Sequence, residues 1–132
     1  MKNKNLIAII AIITILMIII IGIYKQKNPI FMINDIKFSV QGGLKNNFNN
    51  TSEILGNKIG KISKETILIP KNDEEGFKVK KNSNIYNIKK EYKEIYPYSI
   101  IIEIDNKYYI SDLYIDDPYL TTEYLEKFNK NL

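Results

Sequence analysis

Several groups of side chains in this chain are of types and spacings that could do chemistry. Glu103 and Asp105 stand two residues apart, which on a strand turns both carboxylates to one side, as paired acid–base catalysis requires. Their plainer role is the polar face and turn of a hairpin. Asp112, Asp116 and Asp117 surround Tyr114 and offer the oxygen ligands that a hard cation such as calcium takes. The D-x-D-x-D-G spacing of a calcium loop does not occur, and Asp117 has a competing role as a helix cap before Pro118. Lys80-Lys81 and Lys89-Lys90 suit anionic headgroups or wall polymers, but Glu91 and Glu94 weaken the second pair, and a solvated face explains both. Gly42-Gly43 and Gly56-x-x-x-Gly60 lack the Gly-Lys-Ser/Thr that completes a phosphate loop.

Tyrosine is the residue that most suggests recognition. Nine of the ten tyrosines fall between Tyr86 and Tyr124. Each offers a large apolar ring with a polar tip, as binding surfaces use. A chain without Trp also needs such rings simply to fill a core. Tyr108 and Tyr109 must face opposite sides of any strand that holds them, so at least one is expected outside the main core. No catalytic residue, metal ligand or cofactor is expected from these groups, and the ligand-binding residues stay unassigned.

The residue inventory excludes more. The chain has 132 residues, 19 basic and 15 acidic, and every basic residue is lysine. Without Cys it has no disulfide, thiolate nucleophile or Cys-based metal site. Without His it has no imidazole base and no Ser-His-Asp triad. Without Arg it has no guanidinium fork for phosphate or guanine. Ile, Lys, Asn and Tyr supply 73 of the 132 residues, all from AT-rich codons, so lysine abundance by itself says little about partners. From residue 25 onward 17 Lys face 15 Asp and Glu, which is nearly balanced, and no nucleic-acid partner is expected.

These groups need elements to position them, and the strongest element signal is N-terminal. Leu6 to Ile23 is an 18-residue run interrupted only by Thr14 and Gly22, with Tyr24 as an interface residue. A helix over residues 6–24 spans roughly 28 Å, about one hydrocarbon core. Eleven of its residues are isoleucine, which favours strands in water, but in lipid the backbone must bond to itself and a helix is forced. A cleaved signal peptide would need a shorter run and a small-x-small site, whereas this run exits as Gly22-Ile23-Tyr24-Lys25. A lipoprotein signal needs a Cys, and a buried soluble helix has no need to be apolar all round. The expectation is an uncleaved signal anchor contacting the lipid bilayer through Leu6 to Tyr24. Lys2, Lys4 and the amino terminus against Lys25 and Lys27 favour a cytoplasmic N-terminus and an external body.

Residues 25–29 read as a short polar stalk. From Ile30 the chain reads as short strands. Phe31-Met32-Ile33, a turn at Asn34-Asp35, and Ile36 to Val40 make a hairpin whose Ile36, Phe38 and Val40 share one face, ended by Gln41-Gly42-Gly43. Leu44 to Leu55 reads as a loop or short helix, and its two N-x-S/T matches at Asn49 and Asn50 follow from its Asn content. Lys61 to Ile69 reads as a strand pair or bent strand with Ile62, Ile67 and Ile69, stopped by Pro70. Asn72 to Gly76 is a turn cluster, after which Phe77 and Val79 alternate with Lys78 and Lys80 in a strand. Ile85 to Ile88 begins another. Ser99 to Ile104, Asp105-Asn106 and Lys107 to Ser111 form the clearest hairpin, and Ile101 makes its first strand apolar on both sides and therefore central. Residues 118–130 read as an amphipathic helix, with Leu120, Tyr124, Leu125 and Phe128 at helical spacing behind an Asp117 cap.

Four segments taken in order carry a resemblance: Phe31 to Phe38, Leu55 to Ile62, Asn82 to Lys89, and Ile101 to Tyr109. The order resembles a group of small extracytoplasmic proteins of Gram-positive bacteria, with a "v-x-N-g-x-x-y" opening, an "iGkIGkI" segment, a "G-s-x-I-Y-x-I-k" segment and a closing "I-a-V-E-x-n-g-k-Y". The likeness covers about residues 30–112. Asn82 stands where the group has glycine, and Asp105-Asn106 replaces Asn-Gly, both residue choices that suit turns. The group has no established activity; the resemblance implies an N-terminal anchor and a fold class.

The expectation is a mainly β (α+β) chain: residues 1–5 a cytoplasmic lead, 6–24 a transmembrane anchor, 25–29 a stalk, and 30–132 a small antiparallel β domain with a C-terminal amphipathic helix. Its expected function is a non-enzymatic binding or interaction module at the cell envelope, engaging an envelope protein or wall polymer. The alternative is an immunity- or sporulation-type membrane accessory whose transmembrane helix is the working part.

Overall fold

The structure, a computed structural model, describes residues 2–43 and 53–132. A single long helix, α1 (Lys2–Gln26), is followed by strands β1 (Ile30–Ile33), β2 (Ile36–Gly43), β3 (Leu55–Lys61), β4 (Lys64–Thr66), β5 (Glu75–Phe77), β6 (Asn84–Ile88), β7 (Ser99–Ile104) and β8 (Lys107–Leu113), and a last helix, α2 (Thr121–Asn131). Among the described residues the chain is thus mainly β with two α-helices, as its sequence pattern predicts. Lys27 to Pro29 alone separate the first helix from the first strand. Most of the segment read as a loop or short helix over 44–55, including both N-x-S/T matches, lies outside the described residues.

The eight strands form one curled sheet in the order β3-β6-β7-β8-β2-β1-β5-β4. Among the described residues every pairing is antiparallel except that of β4 with β5. The two edge strands are consecutive in the chain, so residues 55–66 act as one bent strand serving both edges. At the bend, Ile62 bonds to Asn82 and Ser83 just before β6, while Ser63 and Lys64 donate to Glu74 O just before β5. Ile62 itself is fully buried.

Inside the curl lies the main core, which includes Phe31, Ile33, Ile36, Phe38, Val40, Ile62, Val79, Ile85, Ile100 and Ile102. Phe31 and Phe38 stack at 5.6 Å, and Phe128 of α2 reaches Phe38 at 6.1 Å. A second cluster on the other face holds Ile54, Ile88 and Ile101 under half-buried tyrosines. This is why Ile100, Ile101 and Ile102 are all buried: β7 has strands on both sides and apolar neighbours above and below.

The two hairpin turns follow from their residues. Asn34 and Asp35 have φ of 52° and 62°, and Asp105 and Asn106 have 53° and 62°. Two successive left-handed residues are what a twist-matched two-residue hairpin needs, and Asn and Asp tolerate them. Three local expectations are corrected. The second strand continues through Gly43, with a register shift after Val40. Glu75 and Gly76 are strand, not turn, and the strand stops at Phe77 because Lys78 adopts φ 57°. Ile67 and Ile69 are not strand residues, for β4 ends at Thr66 and its hydroxyl turns back onto Leu68 O at 2.7 Å.

The C-terminal element begins as a 3-10 turn at Pro118–Leu120, capped by Asp117 through Tyr119 N at 3.0 Å, and becomes α-helix from Thr121. Of its apolar positions only Phe128 is buried; Tyr124 and Leu125 are half-buried and Leu120 is exposed.

Two glycines of the Gly56-x-x-x-Gly60 pair sit in close contacts rather than at a ligand. A Cβ at Gly56 would lie 2.1 Å from Asn87 Oδ1 and 2.8 Å from Asn87 O, whereas one at Gly60 would meet only the flexible end of Ile33, at 2.8 Å. G56A therefore should cost more than G60A, about 1–3 kcal/mol for an overpacked site, because backbone cannot yield as a side-chain end can. Thermal unfolding of the full chain in detergent checks this, with a lower midpoint expected for G56A than for G60A.

Candidate functional site

The sequence candidates are dispersed among separate partners. Glu103 leaves β7 opposite Tyr108 of β8 and accepts from Asn84 Nδ2 at 3.3 Å. Asp105 lies past the strand end, in the left-handed turn, and binds Lys80 Nζ through both oxygens at 2.9 and 3.0 Å. That bond raises the Lys80 pKa above its ordinary value. Both carboxylates border one open polar depression with Lys81 and Asn106, but each already has its own partner.

Asp112, Asp116 and Asp117 do not converge either. Asp112 accepts from Ser99 Oγ at 2.5 Å, Asp116 pairs with Lys37 at 3.0 Å and accepts from Tyr124 OH at 3.2 Å, and Asp117 is the cap. The Lys37 bond holds the Asp116 carboxyl below its usual range, and burial followed by the Asp116 charge lifts the Tyr124 phenol. Among the described residues no group of three carboxylates is placed to hold a metal ion. Strand β2 and the first turn of α2 are tied together by this Lys37–Asp116–Tyr124 chain, so the cluster is a fastening.

The tyrosines divide as the strand alternation requires. Tyr109 packs on the main core, and Tyr108 packs on the second cluster with Tyr86, Tyr92 and Tyr96. The Tyr86 and Tyr108 rings meet edge-on at 6.2 Å. The rings therefore roof Ile54, Ile88 and Ile101 while remaining half-exposed, which joins the core-filling and surface roles in the same residues. Beside them a shallow depression is bordered by Asn57, Asn87, Lys89, Lys90 and Lys93, so the second lysine pair lies at the rim of the tyrosine face.

A feature not anticipated from sequence lies where the first helix meets the sheet. Ile30 is opposite Phe77, and Phe77 opposite Thr66, so β1, β5 and β4 end in one row beside the helix. The Tyr24 ring meets Phe77 edge-on at 5.2 Å, and Lys78 Nζ lies 4.3 Å from the Tyr24 ring centre. Lys78 also donates to Tyr24 O and, at 2.8 Å, to Lys27 O. A helix leaves its last carbonyls without partners, and a cation there is favoured by the helix dipole. Lys78 fills that role from another part of the chain. Just beyond Thr66, Ile67 and Leu68 are 83% and 72% exposed. The run Ile67-Leu68-Ile69 before Pro70 was the available signal, masked by its likeness to a strand.

Compared with known proteins, the chain matches no protein-family model, no curated protein and no solved structure.

The Glu103–Tyr108 contact is testable by pH. Its hydrogen bond first, then burial and the Glu103 charge, push the Tyr108 phenol up to about 12. The folded state holds this proton more tightly than the unfolded chain, so its stabilisation is complete below the ordinary value near 10 and is lost as pH rises through about 12. E103Q should bring the phenol down toward its ordinary value, read by alkaline titration of tyrosinate absorbance against a Y108F reference.

Proposed function

We propose that the chain is a single-pass membrane protein, N-terminus in the cytoplasm, whose β body works at the outer face as a non-enzymatic binding module for an envelope protein or wall polymer. One observation carries the reading. The large apolar side chains from Leu6 to Ile23 are 50–66% exposed, and this one helix, among the described residues, is long and apolar enough to cross a membrane. Water does not tolerate such a surface on every side of a helix, and hydrocarbon favours it. The body meanwhile has its own two apolar clusters and does not cover the helix. Lys2 and Lys4 support the orientation. The half-exposed tyrosine face with Lys89, Lys90 and Lys93 at its rim is the surface that suits a partner, joining aromatic area to positive charge. The reading includes membership of the Gram-positive group that the strand and turn motifs resemble.

Protease applied to intact cells should remove a C-terminal tag and spare an N-terminal one, with the chain resisting alkaline extraction. Cross-linking on those cells should give one reproducible envelope adduct, lost in K89E/K90E. Recovery of the unclipped chain in the soluble fraction would overturn the anchor, and failure to form any adduct would overturn the binding role.

A further inference from the structure

We propose that the loop Ile67-Leu68-Ile69 is a second lipid contact, embedded at the bilayer surface beside the exit of α1, so that the β body is docked on the membrane rather than held off it. The inference rests on the anchor reading above and goes beyond it by assigning an orientation to the body. The loop and the helix form the two walls of one open apolar cleft of ≈ 370 Å³, with Ile20, Ile23 and Tyr24 on one side and Ile67, Leu68 and Ile69 on the other. Ile20 and Ile23 belong to the anchor's last two turns, so whatever solvates them also reaches the loop. A cleft walled on one side by a bilayer-spanning helix is filled by the bilayer's own lipid.

Four further observations agree. The loop is fixed rather than trailing, because Thr66 Oγ1 bonds Leu68 O and Thr66 is in register with Phe77, which touches Tyr24. Lys78 bonds Tyr24 O and Lys27 O, which ties this end of the sheet to the helix end. Lys27 and Lys71 border the same cleft, one from each wall, and place positive charge at the level where anionic headgroups lie. Tyr24 lines the same cleft, and aromatic residues of its kind are favoured at membrane interfaces.

The chain contains no Trp, so each introduced indole is a sole reporter. Full-length L68W, I67W and I18W would be reconstituted in phosphatidylcholine–phosphatidylglycerol vesicles, with and without acyl chains brominated near the glycerol end. The positions are exposed, and unchanged far-ultraviolet circular dichroism checks that each variant folds. The expected result is blue-shifted emission from L68W and I67W, strongly quenched by bromolipid, with I18W also in hydrocarbon. Quenching of I18W without quenching of L68W and I67W would overturn the docking and leave the anchor standing. A blue shift without bromine quenching would mean that protein, such as a second copy, covers the loop, and would overturn it as well. Quenching of L68W with I18W in water would retain the lipid contact and overturn the anchor. If neither is quenched, both readings fall.

Discussion

A sheet built from strands this short has two edges, each a row of unpaired N–H and C=O groups that water must satisfy or another chain can capture. This molecule brings both edges to one stretch of chain. Residues 55–66 pair with β6 on one side in their first half and with β5 on the other in their second, and the switch occurs at Ile62 and Ser63. Bending there rolls the sheet, and rolling separates an inner face from an outer one. Ile62, fully buried, sits in the main core, so the same bend that joins the edges also packs the interior. The only parallel pairing among the described strands, β4 with β5, is a consequence, because the bent strand must run past β5 in the direction the bend dictates.

The roll also decides where chemistry-bearing residues end up. Strand alternation sends Tyr109 inward and Tyr108 outward, and the outward tyrosines gather over Ile101 with help from the segment around Tyr92 and Tyr96. The acids are drawn apart by local partners. Glu103 stays on the strand, but Asp105 enters a left-handed turn and swings to Lys80. Such pairs on the surface contribute little to stability. Their effect is to leave each carboxylate engaged separately.

At the opposite concern, the row formed by Ile30, Phe77 and Thr66 places one end of the sheet against the helix. With three residues between helix and first strand, the body has little freedom to move away. Lys78 makes the junction polar and satisfied, and the exposed Ile67 and Leu68 of the loop after β4 make it apolar on the side facing the helix. A left-handed backbone at Lys78 is what ends β5 and turns that side chain to the helix carbonyls.

Much of this was legible in the chain itself, for local reasons. Eighteen residues with no charge make a helix long and apolar enough to cross a membrane, and period-two runs such as Ile36-Phe38-Val40 need one buried face. Asn34-Asp35 and Asp105-Asn106 announce their turns because few residues accept two left-handed positions. Asp117-Pro118 announces a helical start. What the chain could not announce was non-local. Ile62, Ile67 and Ile69 look alike in sequence, yet the first is core and the second is almost bare, because only the closing of the sheet fixes which side of residue 63 faces inward. Whether Glu103 and Asp105 share a site depended on a lysine 25 residues before Asp105. The placement of Leu68 beside α1 depended on three strand ends meeting next to one helix, a matter of register between distant segments that no local pattern encodes.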